Sequence, residues 1–347
     1  MKVDEYMNAA RRVNGFSGSV LVARDGQPVI SKGYGMANME LNVPNSPQTV
    51  FRIGSLTKQF TALAIMMLQE RNKLNVQDSI CKYLSDCPSH WQPITIRNLL
   101  THSSGISDYA TPDVMKKAAL PISPIEVTAI FKDKPLEFTP GEKIAYSNSG
   151  YYLLGLIIER ASGKSYADFL QENIFKTLGL KQTGYDDARR VMKNRASGYR
   201  LRGSELSNAP YVDMTLPYST GALYSTTEDM LVWEQSFYTE KLVSRKSLDE
   251  IFTPFKDLAG YGWGIRNAFN RQSNSHSGGI FGFSSYIVRF PEDKVTVIVL
   301  GNNQSAPASK IANDLAAIVF GEPYNIPQER KEIAFEPKTL EKYIGQY

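Results

Sequence analysis

Ser55-Leu56-Thr57-Lys58 sets a hydroxyl and an amine one turn apart on the same face of a segment that opens an apolar helix. A serine hydroxyl is a weak nucleophile until a base takes its proton. A lysine buried beside it qualifies as that base, because desolvation lowers the pKa of an amine. The start of a helix adds unpaired backbone N–H groups that favour developing negative charge. Ser-x-x-Lys alone is a weak signal, expected about once in a chain of this length, and its plain reading is an N-capping serine followed by a solvated lysine. Two further stretches strengthen it. Tyr146-Ser147-Asn148 lies between Pro140-Gly141 and an apolar helix, in a loop suited to presenting side chains, and His276-Ser277-Gly278-Gly279 lies just before or within a strand. Tyr-x-Asn by itself is equally weak: Tyr6-Met7-Asn8 repeats it on what reads as a surface helix. The information is in the three segments together, in that order.

The elements that must position these residues follow from pattern. Val20, Leu21 and Val22, the turn signal Asp25-Gly26, and Val29-Ile30 predict a hairpin over Gly18 to Gly35. The helix from Ser55 to Glu70 carries Phe60, Leu63, Ala64, Ile65, Met66, Met67 and Leu68, so it is expected to be buried on most sides. Residues 71–224 read as mostly helical with Pro/Gly breaks, clearest at Tyr151–Arg160 and Tyr166–Leu178, with no strong run of strands. Ser225-Thr226-Thr227-Glu228 predicts a capping box opening a helix through Trp233. Tyr261–Arg266, Phe283–Phe290 and Val295–Leu300 read as strands, with Pro291 to Lys294 as the last turn. Ser305 is expected to cap a final helix that stops at Gly321. Strands thus come from both chain ends and helices from the middle. The expected fold is α/β (α+β): an antiparallel sheet lobe from residues 1–70 and 225–321, flanked by helices, with an inserted helical lobe at 71–224 and an active-site cleft between them.

Composition narrows the function class. The 347 residues are 42% hydrophobic and 21% charged, with a net charge of +4, and no basic run suggests nucleic acid. No apolar stretch reaches the roughly 18 residues a membrane helix needs. Met1-Lys2-Val3-Asp4-Glu5 is not a signal peptide, so the protein is expected in the cytoplasm, or in the periplasm or medium if an export segment was removed. Cys81 and Cys87 fit either a small disulfide loop or two free thiols. Two cysteines do not make a zinc cage and there is no His-Glu-x-x-His, so neither metal nor cofactor is expected. The absence of Gly-x-Ser-x-Gly argues against an α/β-hydrolase, and Gly163-Lys164-Ser165 lacks the glycine that a phosphate loop needs, Ile158 standing there.

From Gly15 to Gly321 the chain resembles the serine β-lactamase and penicillin-binding protein superfamily, most closely its class C-like branch, which includes D-alanyl-D-alanine carboxypeptidases and β-lactamase-fold esterases. The likeness extends to Phe51-Arg52-Ile53-Gly54 before Ser55, Leu99-Leu100-Thr101-His102-Ser103-Ser104-Gly105-Ile106, Tyr224-Ser225-Thr226, and Gly282-Phe283. It implies that Ser55 is the nucleophile of an acyl-enzyme, that Lys58 and Tyr146 share the proton work, and that Asn148, His276 and Gly278 bind substrate. It also implies an oxyanion hole from the backbone N–H groups of Ser55 and Gly279. A nearby ammonium would lower the phenol's pKa, favouring a coupled Lys58–Tyr146 pair. Many relatives carry lysine at position 276. Histidine is largely neutral at neutral pH, which weakens the case for β-lactam hydrolysis. The expected function is therefore a serine hydrolase acting on D-amino peptides or β-lactams, with a carboxylesterase and a non-turnover penicillin-binding sensor as alternatives. Its partner is a small-molecule or peptide substrate; nothing in the sequence sets the oligomeric state.

His102 reads more plainly as a turn residue than as a catalyst, and Asp108-Tyr109 as residues that could line the cleft without their identity showing it. Residues 322–347 read as a linker, and Leu340–Tyr347 resembles the first strand of a small β-barrel domain found after the catalytic unit in many relatives. The native chain is expected to continue beyond it; the plainer alternative is a terminal strand packed on the body.

Overall fold

Val295-Thr296-Val297-Ile298-Val299-Leu300-Gly301 is buried at every position, as a strand covered on both faces must be. In the computed structural model, which describes residues 2–202, 205–256 and 258–329, it sits inside a six-stranded antiparallel sheet. We label the strands β1 (Gly18–Arg24), β2 (Gln27–Tyr34), β3 (Gly264–Ala268), β4 (Arg271–Ile280), β5 (Phe283–Phe290) and β6 (Val295–Gly301). Their order is β3-β4-β5-β6-β1-β2, so β1 from the start of the chain pairs with β6 from near residue 300.

Alternation along the strands sorts the core into two layers. Val20, Val22, Val295, Val297 and Val299 face one cluster, which also holds Tyr6 and Met7 of α1 (Lys2–Asn14) and Ile311 and Leu315 of a late helix at Ala308–Phe320. Leu21, Ala23, Ile298 and Leu300 face the other, with Phe60, Leu63 and Ile65 of α2 (Thr57–Glu70). Every residue of α2 from Thr57 to Leu68 is buried. Each fully buried large apolar side chain contributes about 1.5–3 kcal/mol, so α2 is an internal strut.

Several elements differ from the sequence pattern, each for a local reason. Ser55 lies in a 3-10 turn, Gly54–Leu56, and the α-helix begins at Thr57. The helix near Trp233 spans Thr227–Gln235 and is capped by Thr226, which accepts from Asp229 N, because the Ser225 hydroxyl is engaged by Thr183 at 2.8 Å. Pro307, not Ser305, precedes the last helix; Ser305 Oγ instead accepts from Leu201 N at 3.1 Å. The strand expected from Tyr261 starts at Gly264, since Gly262 turns with φ +74° against the backbone of Lys58 and Gln59. Tyr166–Leu178 is helical throughout but widens to a π-helix at Gln171–Phe175. Short strands at Gly184–Tyr185, Tyr199–Arg202, Glu205–Asn208 and Leu223–Ser225 lie in the segment read as helical. Tyr6, read as a surface residue, is buried and donates to Asp314 at 2.5 Å. Cys81 and Cys87 form a disulfide with Cα atoms 5.2 Å apart. Among the described residues no helix is long and apolar enough to cross a membrane. The reading of Leu340–Tyr347 as a strand lies outside the described residues.

Candidate active site

β3 ends opposite Ser275, so the second half of β4, from His276 to Ile280, has no strand beyond it on that edge. The turn that carries Ser55 packs there. Ser285 Oγ of β5 donates to the Ile53 carbonyl at 2.8 Å and fixes that turn against the sheet. Gly54 has φ +52°, and a Cβ on it would come within 2.9 Å of Gly279 N. A Cβ on Gly278 would come within 2.1 Å of the Ile53 oxygen. Two glycines therefore set how closely the main chains at 53–55 and 278–279 approach.

The other two residues arrive from the start of α3 (Asn148–Ser162), whose N-cap Ser147 accepts from Gly150 N. Tyr146 precedes the cap and Asn148 is the first helical residue. The Tyr146 hydroxyl donates to Ser55 Oγ at 2.9 Å. Lys58 Nζ lies 3.1 Å from Ser55 Oγ, 2.9 Å from Asn148 Oδ1 and 2.9 Å from the Thr220 carbonyl oxygen. The structure thus brings Ser55, Lys58, Tyr146 and Asn148 into one hydrogen-bonded group.

The chemistry of these contacts favours one proton arrangement. The Thr220 carbonyl can only accept. Asn148 Oδ1 is identified as the carbonyl end because Asn148 Nδ2 donates to Asp108 Oδ2 at 2.9 Å. A neutral amine has two N–H bonds and one lone pair. With both bonds directed at Thr220 and Asn148, the lone pair is left for Ser55, the one partner that can also donate. Burial of Lys58 supports this form: loss of hydration lowers its pKa to about 7, against the opposing field of Asp108. Loss of hydration raises the Tyr146 phenol above its ordinary value, with the bond to Ser55 acting in the other direction. The expectation that the ammonium would lower the phenol is thus corrected: desolvation moves the two groups toward a neutral amine and a neutral phenol.

His276 lies on β4, with ring centroid 6.4 Å from that of Tyr146. Its Nδ1 is 2.6 Å from the Ser277 carbonyl oxygen, which can only accept, so Nδ1 carries the proton and Nε2 is left as an acceptor. Loss of hydration and the field of Lys58 hold its pKa down at about 4. His276 is therefore a neutral imidazole. His102 has φ +54°; its Nδ1 accepts from Ser147 N at 3.2 Å, and its ring stacks on Tyr146 at 4.5 Å. It orients the tyrosine without touching Ser55.

Two hollows of 340 Å³ each lie beside the Tyr146–Ser55 bond, Ser55 lining one and Tyr146 the other. One is lined by Ser55, Asn148, Thr220 and Gly279. The other is lined by Tyr146, His276, Ser277 and Arg266. Gly279 has nothing within 4 Å of where a Cβ would stand, so its missing side chain keeps the first hollow open. No motif points to the Thr220 carbonyl or to Arg266, and the role of Asp108 lies in its bonds to Asn148, which no spacing announces.

Comparison with known proteins places the whole chain in a family. The family model described as Beta-lactamase matches residues 3–320. Penicillin-binding protein 4* of Bacillus subtilis (strain 168) is 32% identical, over 96% of this chain and 79% of its own. The putative penicillin-binding protein PbpX of the same organism is 32% identical, over 87% of this chain and 73% of its own. Among solved structures, the octameric penicillin-binding protein homologue from Pyrococcus abyssi superposes with a TM-score of 0.84 at 31% identity, over 92% of this chain and 77% of that one. A match over residues 3–320, together with relatives at this level of identity, leaves one conclusion: the chain belongs to the beta-lactamase family, whose members are serine hydrolases and penicillin-binding proteins.

Proposed function

We propose that this protein cleaves an amide or ester through an acyl-enzyme on Ser55, with D-amino peptides and β-lactams as the leading substrate class. The observation that carries this is the meeting of Lys58 Nζ and the Tyr146 hydroxyl on Ser55 Oγ, at 3.1 and 2.9 Å, with the other two contacts of the amine going to acceptors at 2.9 Å each. In the first step Lys58 takes the Ser55 proton while Oγ bonds to the substrate carbonyl carbon. The carbonyl oxygen, now an anion, is held by the backbone N–H groups of Ser55 and Gly279. One such donor is typically worth about 3–4 kcal/mol of barrier. Tyr146 then gives its proton to the leaving atom as the carbonyl–leaving-group bond breaks, and recovers one from Lys58. A water molecule releases the acyl group by the reverse route. Asn148 aligns Lys58 and offers its side chain to the substrate amide, while Gly278 holds the strand in place.

Carboxylesterase activity is the second reading, and the neutral His276 favours it. A fixed charge at that position would grip a leaving-group carboxylate, and none is present. Arg266 lines the same hollow and offers the positive charge that His276 lacks, which keeps peptides and lactams in first place. A scaffold that is never acylated would not need Lys58 and Tyr146 both in contact with Ser55.

Exposure to a fluorescent penicillin, a chromogenic cephalosporin and a p-nitrophenyl ester separates these readings. Turnover of the cephalosporin or release of the penicillin label supports the leading one. Ester cleavage without lactam reaction supports the esterase, and a stable label without turnover the sensor. Ser55→Ala should abolish every activity.

A further inference from the structure

The hollow that holds Ser55 is lined mostly by apolar groups such as Met115, Val212, Leu216 and Phe281, and among the described residues Arg200 is the one charged side chain along it. Among the described residues no carboxylate pairs with Arg200, and its Nε is buried without a partner. An arginine left unpaired beside an apolar surface is uncommon, since its planar fork readily finds a carboxylate.

The backbone on both sides of it is pinned. Tyr199 N donates to the Asn302 carbonyl at 2.9 Å, and Tyr199 O accepts from Gln304 N at 2.9 Å. Leu201 N donates to Ser305 Oγ at 3.1 Å. Arg200 is thus held between two fixed points in the strand Tyr199–Arg202, which pairs with Glu205–Asn208. Gln304 lines the same hollow; its Oε1 is engaged by Gly282 N at 3.0 Å, which leaves its amide N–H groups as donors.

Which half of the substrate enters this hollow follows from the proposed acyl-enzyme, on which the inference rests. The leaving atom must lie toward Tyr146, the proton donor, and Tyr146 lines the other hollow. The acyl half therefore occupies the side of Asn148 and Gly279. We infer that Arg200, assisted by the Gln304 amide, binds a carboxylate carried on the acyl half of the substrate, so that the preferred acyl group has an apolar spacer ending in an anion.

The test uses p-nitrophenyl monoesters of dicarboxylic acids, succinate through pimelate, each paired with the neutral acyl ester of equal length. At one or more lengths the carboxylate ester should be preferred at least about tenfold in kcat/KM. Arg200→Met should remove that preference by lowering kcat/KM for the anionic ester alone, leaving the neutral ester, which also reports folding, unchanged. Arg200→Lys should restore part of it. No preference at any length, or an equal fall for both esters in Arg200→Met, would overturn the role of Arg200. If wild-type protein cleaves neither ester nor lactam, the acyl-enzyme reading is in question instead. Calorimetric titration of Ser55→Ala with the monoamides of the same acids then decides for Arg200: binding lost in the added Arg200→Met variant supports it, and binding absent or unaltered overturns it.

Discussion

Asn148 Oδ1 accepts from Lys58 Nζ at 2.9 Å, and it faces the lysine because the other end of its amide is bound to Asp108. Through that relay Asp108 sets the orientation of a residue it does not contact by hydrogen bond, and its charge opposes the desolvation of the amine.

The first prediction concerns pH. Acylation needs neutral Lys58, so kcat/KM should rise with pH through about 7 and then level off. Tyr146 adds no falling limb below its ordinary range, because its phenol is raised. Asp108→Asn removes the group that raises the lysine, so the rising limb should move to lower pH. A limb that stays in place or moves to higher pH would count against Lys58 as the base.

The same shift has a consequence for stability. Lys58 titrates near 7 when folded and near 10.5 when unfolded. Below 7 both states hold the proton and the folded state bears a buried ammonium. Between these values the unfolded state binds more protons, so stability rises with pH. Relative to Lys58→Met, the wild-type protein should therefore gain about 1.4 kcal/mol per pH unit across that window. Urea denaturation of both proteins at pH 6 to 9 measures it, and a difference independent of pH would refute the buried, depressed amine.

Two adjacent glycines should separate packing from function. Gly278→Ala drives a Cβ to 2.1 Å from the Ile53 oxygen and 2.2 Å from Ser285 Oγ. It should cost about 1–3 kcal/mol and activity together. Gly279→Ala meets nothing within 4 Å, so stability should change by no more than about 0.5 kcal/mol. Its methyl group narrows the hollow beside Ser55, and kcat/KM should fall at least about tenfold. Thermal melts and ester kinetics on both variants give the comparison.

Much of this was legible in the sequence where a pattern has one structural outlet. The hairpin over Gly18–Tyr34, the apolar helix after Ser55 and the strands at 283–290 and 295–301 follow from alternation and helical spacing. Cap positions were harder, because a hydroxyl has several uses: Ser225 and Ser305 bond to distant segments instead of capping. The strands at 184–185 and 199–202 are too short for periodicity to register. Ser55, Lys58, Tyr146 and Asn148 could be named from their motifs. A carbonyl such as that of Thr220 has no sequence signature, and the short helix Tyr218–Gly221 puts it beside Lys58.

A buried ion pair away from the site provides a stability test. Arg289 of β5 meets Glu234 at 2.7 Å, with side chains 3% and 0% exposed. Glu234→Ala would leave the guanidinium buried and unpaired, a loss of about 3–5 kcal/mol. Activity per folded molecule should stay unchanged. A loss below 1 kcal/mol in chemical denaturation would show that solvent or another acid reaches Arg289.

Trapping the acyl group tests the chemistry directly. Protein quenched in acid during reaction with a penicillin or an activated ester, then digested and sequenced by mass spectrometry, should carry the added mass on Ser55 and on no other residue. Ser55→Ala treated alike should carry none. An adduct on a different side chain, or Ser55→Ala that still turns over substrate, would contradict the assignment of Ser55 as the nucleophile.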